Sequence, residues 1–82
     1  MSWTVYMLRC RDGSLYTGIT NDLPTRLERH RAGTASAYTH SRRPVRLVYQ
    51  ERQPDRSAAL RREAALRRLS RAAKLALLRR VE

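Results

Sequence analysis

Three observations predict an α/β (α+β) fold: a three-stranded, mainly antiparallel sheet flanked by helices in the order ββαβαα. Thr4–Cys10 (TVYMLRC) and Ser14–Thr20 (SLYTGIT) are short and rich in β-branched and aromatic residues. Arg11-Asp12-Gly13 separates them, which reads as a β-hairpin. Val45–Gln53 (VRLVYQERQ) alternates as a third strand would. Three further segments carry apolar positions at helical spacing between start and stop signals. The 82 residues are expected to form one domain, 1–82, because a chain of this length buries only ~60–65% of its unfolded surface and has room for one small core.

The hairpin can close in two ways. A three-residue loop with Gly13 left-handed puts Tyr6 and Tyr16 on one face of the sheet, whereas a two-residue Asp-Gly turn puts them on opposite faces. The first helix is expected over Leu23–Ala32. Asn21 and Asp22 are cap-type residues, Pro24 suits a first turn and Gly33 is a natural stop. Its inward stripe holds Leu23 and Leu27, with His30 between them in angle and Arg26 at the edge. Glu28 and Arg29 face water.

Thr34–Pro44 lacks periodicity and carries Tyr38, His40, Arg42 and Arg43, so it reads as a basic loop or flap. Pro54-Asp55 ends the third strand, and Asp55 or Ser57 caps a second helix, Arg56–Leu69. Ser70 caps a third, Arg71–Val81, whose stripe is Leu75, Leu78 and Val81.

Composition narrows the partner. Hydrophobic residues at 41% and charged residues at 30% suit a compact fold and not a disordered tail. The net charge is +11, and of eighteen basic residues all but Lys74 are arginine. Such a balance points to nucleic acid, since guanidinium can grip phosphate with two parallel hydrogen bonds. No lipidation signal, lysine-rich amphipathic tract or apolar run of ~20 residues suggests a membrane. Cys10 stands alone, so no intrachain disulfide can form. It reads as a buried strand residue in a reducing compartment, and with no signal-peptide pattern the expected location is cytoplasmic.

The chain offers few groups for chemistry. It has no Cys/His zinc spacing, glycine-rich phosphate loop, paired carboxylates or serine nucleophile elbow. Asp12 reads as turn chemistry, Asp22 and Asp55 as caps, and Glu28 and Glu51 as residues of solvated faces or strand ends. Glu63 differs. At 100° per residue it falls between Ala59, Leu66 and Leu60, on the apolar side of a helix otherwise crowded with arginine. It could seat a metal ion near a phosphate, or simply pair with Arg67 at i, i+4 for ~0.2–0.5 kcal/mol. Taken singly, Tyr6 and Tyr16 read as amphipathic strand residues and Arg26 and His30 as a polar helix edge. Tyr38 and His40 read as loop residues that at most touch a phosphate backbone.

Taken together the spacings say more. Tyr16 follows Tyr6 by ten residues and Arg26 follows Tyr16 by ten. With Val5-Tyr6-Met7, Tyr16-Thr17-Gly18, His30 one turn after Arg26, and Glu63 on a later helix, the chain resembles the GIY-YIG nuclease superfamily. The stretches CRDGSLYTGITNDL, RRPVRLVY and AALRREAALRRLSRAAKLALL resemble the small bacterial members grouped as UPF0213. The resemblance implies that one tyrosine, Tyr16 for preference, orients or deprotonates the attacking water. It implies that Arg26 stabilises charge on the phosphate and that His30 transfers a proton or orients the phosphate. Glu63 would hold one Mg2+ or Mn2+, and Gly18 would permit close backbone approach. Tyr38, Arg42 and Arg43 would contact substrate. Ile19 stands where some members carry lysine.

The function expected on this basis is metal-dependent endonucleolytic hydrolysis of DNA, selective for structure more than sequence. The alternatives are a module of the same fold that binds nucleic acid without efficient catalysis, and a subunit whose basic surface meets an acidic protein.

Overall fold

A computed structural model describes residues 2–79. The hairpin of β1 (Trp3–Arg9) and β2 (Leu15–Thr20) takes the three-residue loop. Gly13 is left-handed at φ 85°. Its N–H donates to the Cys10 carbonyl at 2.9 Å, and Cys10 N–H donates to the Ser14 carbonyl at 2.9 Å. Tyr6 therefore pairs with Gly18 and Leu8 with Tyr16. Because side chains alternate along a strand, Tyr6 and Tyr16 share one face.

The third strand, β3 (Arg46–Gln53), pairs antiparallel with β1 on its other side, giving the order β2-β1-β3. Pairing shifts from Met7–Tyr49 to Leu8–Leu47, so Val48 is the extra residue of a β-bulge. Central β1 is covered on both faces, and Val5, Tyr6, Met7 and Leu8 are each 0% exposed.

Helix α1 (Leu23–Ala32) occupies the expected span. The Asp22 carboxylate accepts from Thr25 N–H at 3.3 Å and from the Thr25 hydroxyl at 2.7 Å, and Gly33 closes the helix at φ 83°. Between α1 and β3 the structure corrects the expectation of a featureless loop: Ala37–His40 forms a one-turn helix, α2. Ser36 caps it by accepting from Thr39 N–H at 3.1 Å. One turn is too short to register as periodicity, and only the Ser36-x-x-Thr39 capping pattern marks it.

After β3 come α3 (Arg56–Arg67), capped by Asp55 through Ala58 N–H at 2.8 Å, and α4 (Arg71–Arg79), capped by Ser70. The expected stripe residue Val81 lies outside the described residues. No helix among them is long and apolar enough to cross a membrane.

The main core lies between the sheet and α3 and α4, where Val5, Met7 and Tyr49 meet Ala59, Leu66 and Leu78. The opposite face carries Tyr6 and Tyr16 and is covered by α1 and α2. Each tyrosine packs there against His30 of α1.

Glu51 has a larger role than that of a solvated strand-end residue. Its side chain is 19% exposed. It accepts hydrogen bonds from the Tyr49 hydroxyl, from Gln53 Nε2 at 2.7 Å and from Arg62 Nε at 2.9 Å, joining β3 to α3. Burial pushes its pKa up, but the bonds from Tyr49, Arg62 and Gln53 outweigh burial and hold it below the ordinary glutamate value. A carboxyl depressed in the folded state contributes stability above its unfolded pKa and loses it as pH falls through the folded one. Glu51→Gln should therefore cost about 1–3 kcal/mol at neutral pH. In thermal melts the gap between wild type and variant should narrow as pH drops below about 4.5. A gap that stays constant to pH 3 would show that the network carries no charge-dependent stability.

Candidate functional site

The site forms at Gly18 on β2, an edge strand of the sheet. A Cβ on Gly18 would lie 2.6 Å from the Tyr6 hydroxyl and 2.7 Å from Tyr6 Cζ. Only the missing side chain lets the Tyr6 phenol lie across its neighbouring strand. The space above Gly18 is thus filled by a tyrosine side chain, where close approach of a backbone had been expected.

Tyr6 and His30 are both 0% exposed, and the Tyr6 hydroxyl lies 2.8 Å from His30 Nε2. On the other side of the ring, Nδ1 lies 2.8 Å from Thr39 Oγ1, which in turn lies 2.9 Å from Ser36 Oγ. A buried imidazole needs both nitrogens satisfied, and here Tyr6 and Thr39 do so. Burial, then the Arg26 charge, depress the His30 pKa, which keeps the ring neutral. Burial pushes the Tyr6 phenol well above its ordinary range, Tyr16 adds to the rise, Arg26 opposes it and Glu63 adds a little more. Arg26 and Glu63, from different helices, both act electrostatically on the Tyr6 phenol.

Tyr16 is the more open of the two phenols. Its ring sits 6.5 Å from Tyr6, 5.3 Å from His30 and 5.8 Å from Tyr38, centroid to centroid. Among the described residues no protein group hydrogen-bonds its hydroxyl, whereas Tyr6 is committed to His30. The Arg42 guanidinium stacks 3.8 Å above the Tyr38 ring. Arg42 is held by Asp12 at 3.1 Å and by the Tyr38 carbonyl at 3.0 Å. Asp12 thus does more than shape its turn, where it also accepts from Ser14 N–H at 3.0 Å.

Glu63 has a side chain 17% exposed and stands 3.4 Å from Arg67 Nη2. Both readings of this carboxylate therefore persist: it makes the i, i+4 pair, and its charge is felt by the Tyr6 phenol. The same Arg67 nitrogen donates to the Thr17 carbonyl at 3.1 Å, covering part of the open strand edge. No group of three His, Cys, Asp or Glu side chains that could cage a metal occurs among the described residues. A single half-buried carboxylate suits a hydrated Mg2+, which keeps several waters and uses one or two protein ligands.

Two expected residues fall elsewhere. Arg43 lies away from the cluster, donating to the carbonyls of His40 at 3.0 Å and Arg31 at 3.4 Å, where it closes the C-terminal end of α1. His40 is exposed, and its Nδ1 hydrogen-bonds the Gly33 carbonyl at 2.9 Å. Two contributions escaped the sequence reading. Thr39, completely buried behind His30, was hidden in a segment without periodicity. The Arg67 pair with Glu63 was expected from their spacing, but its bond to the Thr17 carbonyl fifty positions away was not.

With this geometry established, comparison with known proteins places the chain. A profile of the GIY-YIG catalytic domain matches residues 2–76. The chain belongs to the GIY-YIG family. It is 50% identical over 76 residues to a UPF0213 protein of Xanthomonas axonopodis pv. citri (strain 306), covering 93% of this chain and 74% of that one. It is 50% identical over 72 residues to a UPF0213 protein of Streptococcus sanguinis (strain SK36), covering 88% and 83%. The solution NMR structure of the UPF0213 protein BH0048 from Bacillus halodurans superposes with TM-score 0.61 at 41% identity, covering 95% of this chain and 83% of that one. That of EF2693 from E. faecalis superposes with TM-score 0.63 at 35% identity, covering 94% and 83%. The GIY-YIG domain is that of a nuclease superfamily. Ile19 packs against the α3-side core.

Proposed function

We propose that this GIY-YIG protein is a metal-dependent endonuclease that hydrolyses phosphodiester bonds in DNA and selects structure over sequence. The observation that carries this reading is the meeting of Tyr6, Tyr16 and His30 at Gly18, with Arg26 and Glu63 acting on the same phenol. Hydrolysis requires an aligned water, charge neutralised on the non-bridging oxygens and a proton for the leaving oxygen. Tyr16, with its hydroxyl uncommitted, aligns the attacking water. As the water oxygen bonds to phosphorus, the bond to the leaving oxygen breaks, and the proton given up by the water is delivered, through solvent, to that leaving oxygen. Tyr6 stays protonated in its buried position and keeps Tyr16 and His30 in register.

A completely buried His30 does not reach a phosphate directly, so any proton it exchanges passes through the Tyr6 hydroxyl, which takes up one proton as it gives up another and so remains protonated. Arg26 stabilises the charge that develops on the phosphate. Glu63 would hold a divalent ion, Mg2+ or Mn2+, and the ion when bound supplies Lewis-acid neutralisation of the phosphate. Arg42 and Tyr38 lie where the substrate backbone would pass. The net charge of +11 makes affinity strongly salt-dependent.

One observation favours a second reading. The Glu63 carboxylate is already partnered by Arg67 at 3.4 Å, as it would be in a module that binds nucleic acid without cutting it. The two readings separate in a cleavage assay on single-stranded, duplex and branched DNA with magnesium, manganese or chelator. The nuclease reading expects products only with metal, and a loss of about 10²- to 10³-fold in Arg26→Ala, the usual cost of removing one charge-stabilising donor. Tight binding with no products under any metal would leave the module. Equal cleavage by Arg26→Ala and wild type would point to a contaminating nuclease.

A further inference from the structure

On the α3/α4 side of the β2 edge lies a cleft of about 480 Å³ lined by Leu15, Tyr16, Thr17, Tyr38, Arg67 and Lys74. It opens beside Tyr16 and contains two cations, two phenols and no carboxylate among its lining residues. Arg67 is tied to Glu63 and to the Thr17 carbonyl. Lys74, from α4, is half-buried and has no ion pair with a carboxylate among the described residues. A half-buried ammonium with three donors and no fixed acceptor is poised for an anion brought by a ligand. At the mouth Tyr38, 37% exposed, already carries the Arg42 guanidinium 3.8 Å above its ring, and that guanidinium plane gives an unpaired base a surface to stack on.

We propose that this cleft binds one nucleotide of a single strand, with Lys74 as the main contact to its phosphate. This rests on the nuclease reading for one point only, that the bound phosphate neighbours the one being cut. A concavity of this size accepts a small-molecule-sized unit and not the width of a duplex. It therefore selects unpaired strands at ends, flaps and branches. Arg67 holds the strand edge while Lys74 supplies the uncommitted charge.

Lys74 is the only lysine in the chain, so an amine-selective acylating reagent reports on it by mass spectrometry of the peptide that contains it. The experiment titrates a single-stranded oligonucleotide onto the full chain in chelator, where metal-dependent cutting is off, and follows the rate of Lys74 acylation. Saturating oligonucleotide should slow acylation several-fold, and duplex of equal length should slow it less. Lys74→Gln should weaken single-strand binding about 5- to 10-fold and make the salt dependence shallower by about 0.7 in log–log slope, the value for one phosphate contact. Arg61→Gln, the same charge loss on an exposed position of α3, should weaken binding less. Unchanged acylation at saturation, or equal effects of Lys74→Gln and Arg61→Gln, would overturn the cleft even if the protein cuts DNA. Protection of Lys74 in a protein that never cuts would uphold the cleft and remove the nuclease reading.

Discussion

Glu63→Gln is expected to reduce metal-dependent DNA cleavage by on the order of 10²- to 10⁴-fold, the equivalent of about 3–5 kcal/mol of transition-state stabilisation. It should leave the thermal midpoint almost unmoved. The substitution keeps shape and removes charge. Its structural cost is bounded by the pair with Arg67, which spans 3.4 Å and has side chains 56% and 17% exposed. Exposed i, i+4 pairs contribute ~0.2–0.5 kcal/mol, so the pair cannot explain a loss of catalysis that large. The comparison variant is Arg67→Gln, which breaks the same pair and leaves the carboxylate. If Glu63 serves only the pair, both variants lose the same small stability and neither loses activity. If Glu63 seats the ion, only Glu63→Gln is inactive, and raising the manganese concentration recovers part of its rate. Full activity of Glu63→Gln at low metal concentration would reject the assignment.

Gly18→Ala should be strongly destabilising. The new Cβ would lie 2.6 Å from the Tyr6 hydroxyl and 3.2 Å from Tyr16 Cε2, and the enclosed Tyr6 ring has no room to retreat. Tyr6 is 0% exposed and packs edge-on against His30 at 5.7 Å. Overpacking of this kind costs about 1–3 kcal/mol. Displacing the phenol from His30 strands a buried polar pair for about 1–3 kcal/mol more. For a chain of this length the sum lowers the melting temperature by about 10–35 °C. Any folded protein that remains should be nearly inactive, because the phenol cluster has lost its geometry. Tyr6→Phe removes the atom nearest the new methyl group, so the double variant should be less destabilised than the two single effects summed. An unchanged melting temperature in Gly18→Ala would mean that Tyr6 does not cross the strand there.

The elements were legible because local chemistry wrote them. Asp22, Pro24 and Gly33 bracket α1 at the residues where it begins and ends, and Asp55 caps α3. Caps and breakers act through backbone groups within a few residues, so they survive whatever the tertiary context does. The short helix α2 was missed for the same reason in reverse. Four residues hold no apolar period, and Thr39 is buried by its bond to a histidine nine positions away. Glu51 was misjudged because its partners, Tyr49, Gln53 and Arg62, meet only when β3 docks on α3.

The amino-acid sequence alone determined the order of the strands and of the three longer helices, the strongly cationic character and the spacing of Tyr6, Tyr16, Arg26, His30 and Glu63, since each depends on residue type and separation along the chain. It left open whether the two tyrosines share a face. That depends on one residue of hairpin register, which folding resolves through the left-handed Gly13. Tertiary packing also decided that Tyr6 and His30 are sealed from solvent while Tyr16 faces the cleft, and that Lys74 stands beside it. Solvent exposure and the company of remote residues are properties of the packed surface, and no local pattern encodes them.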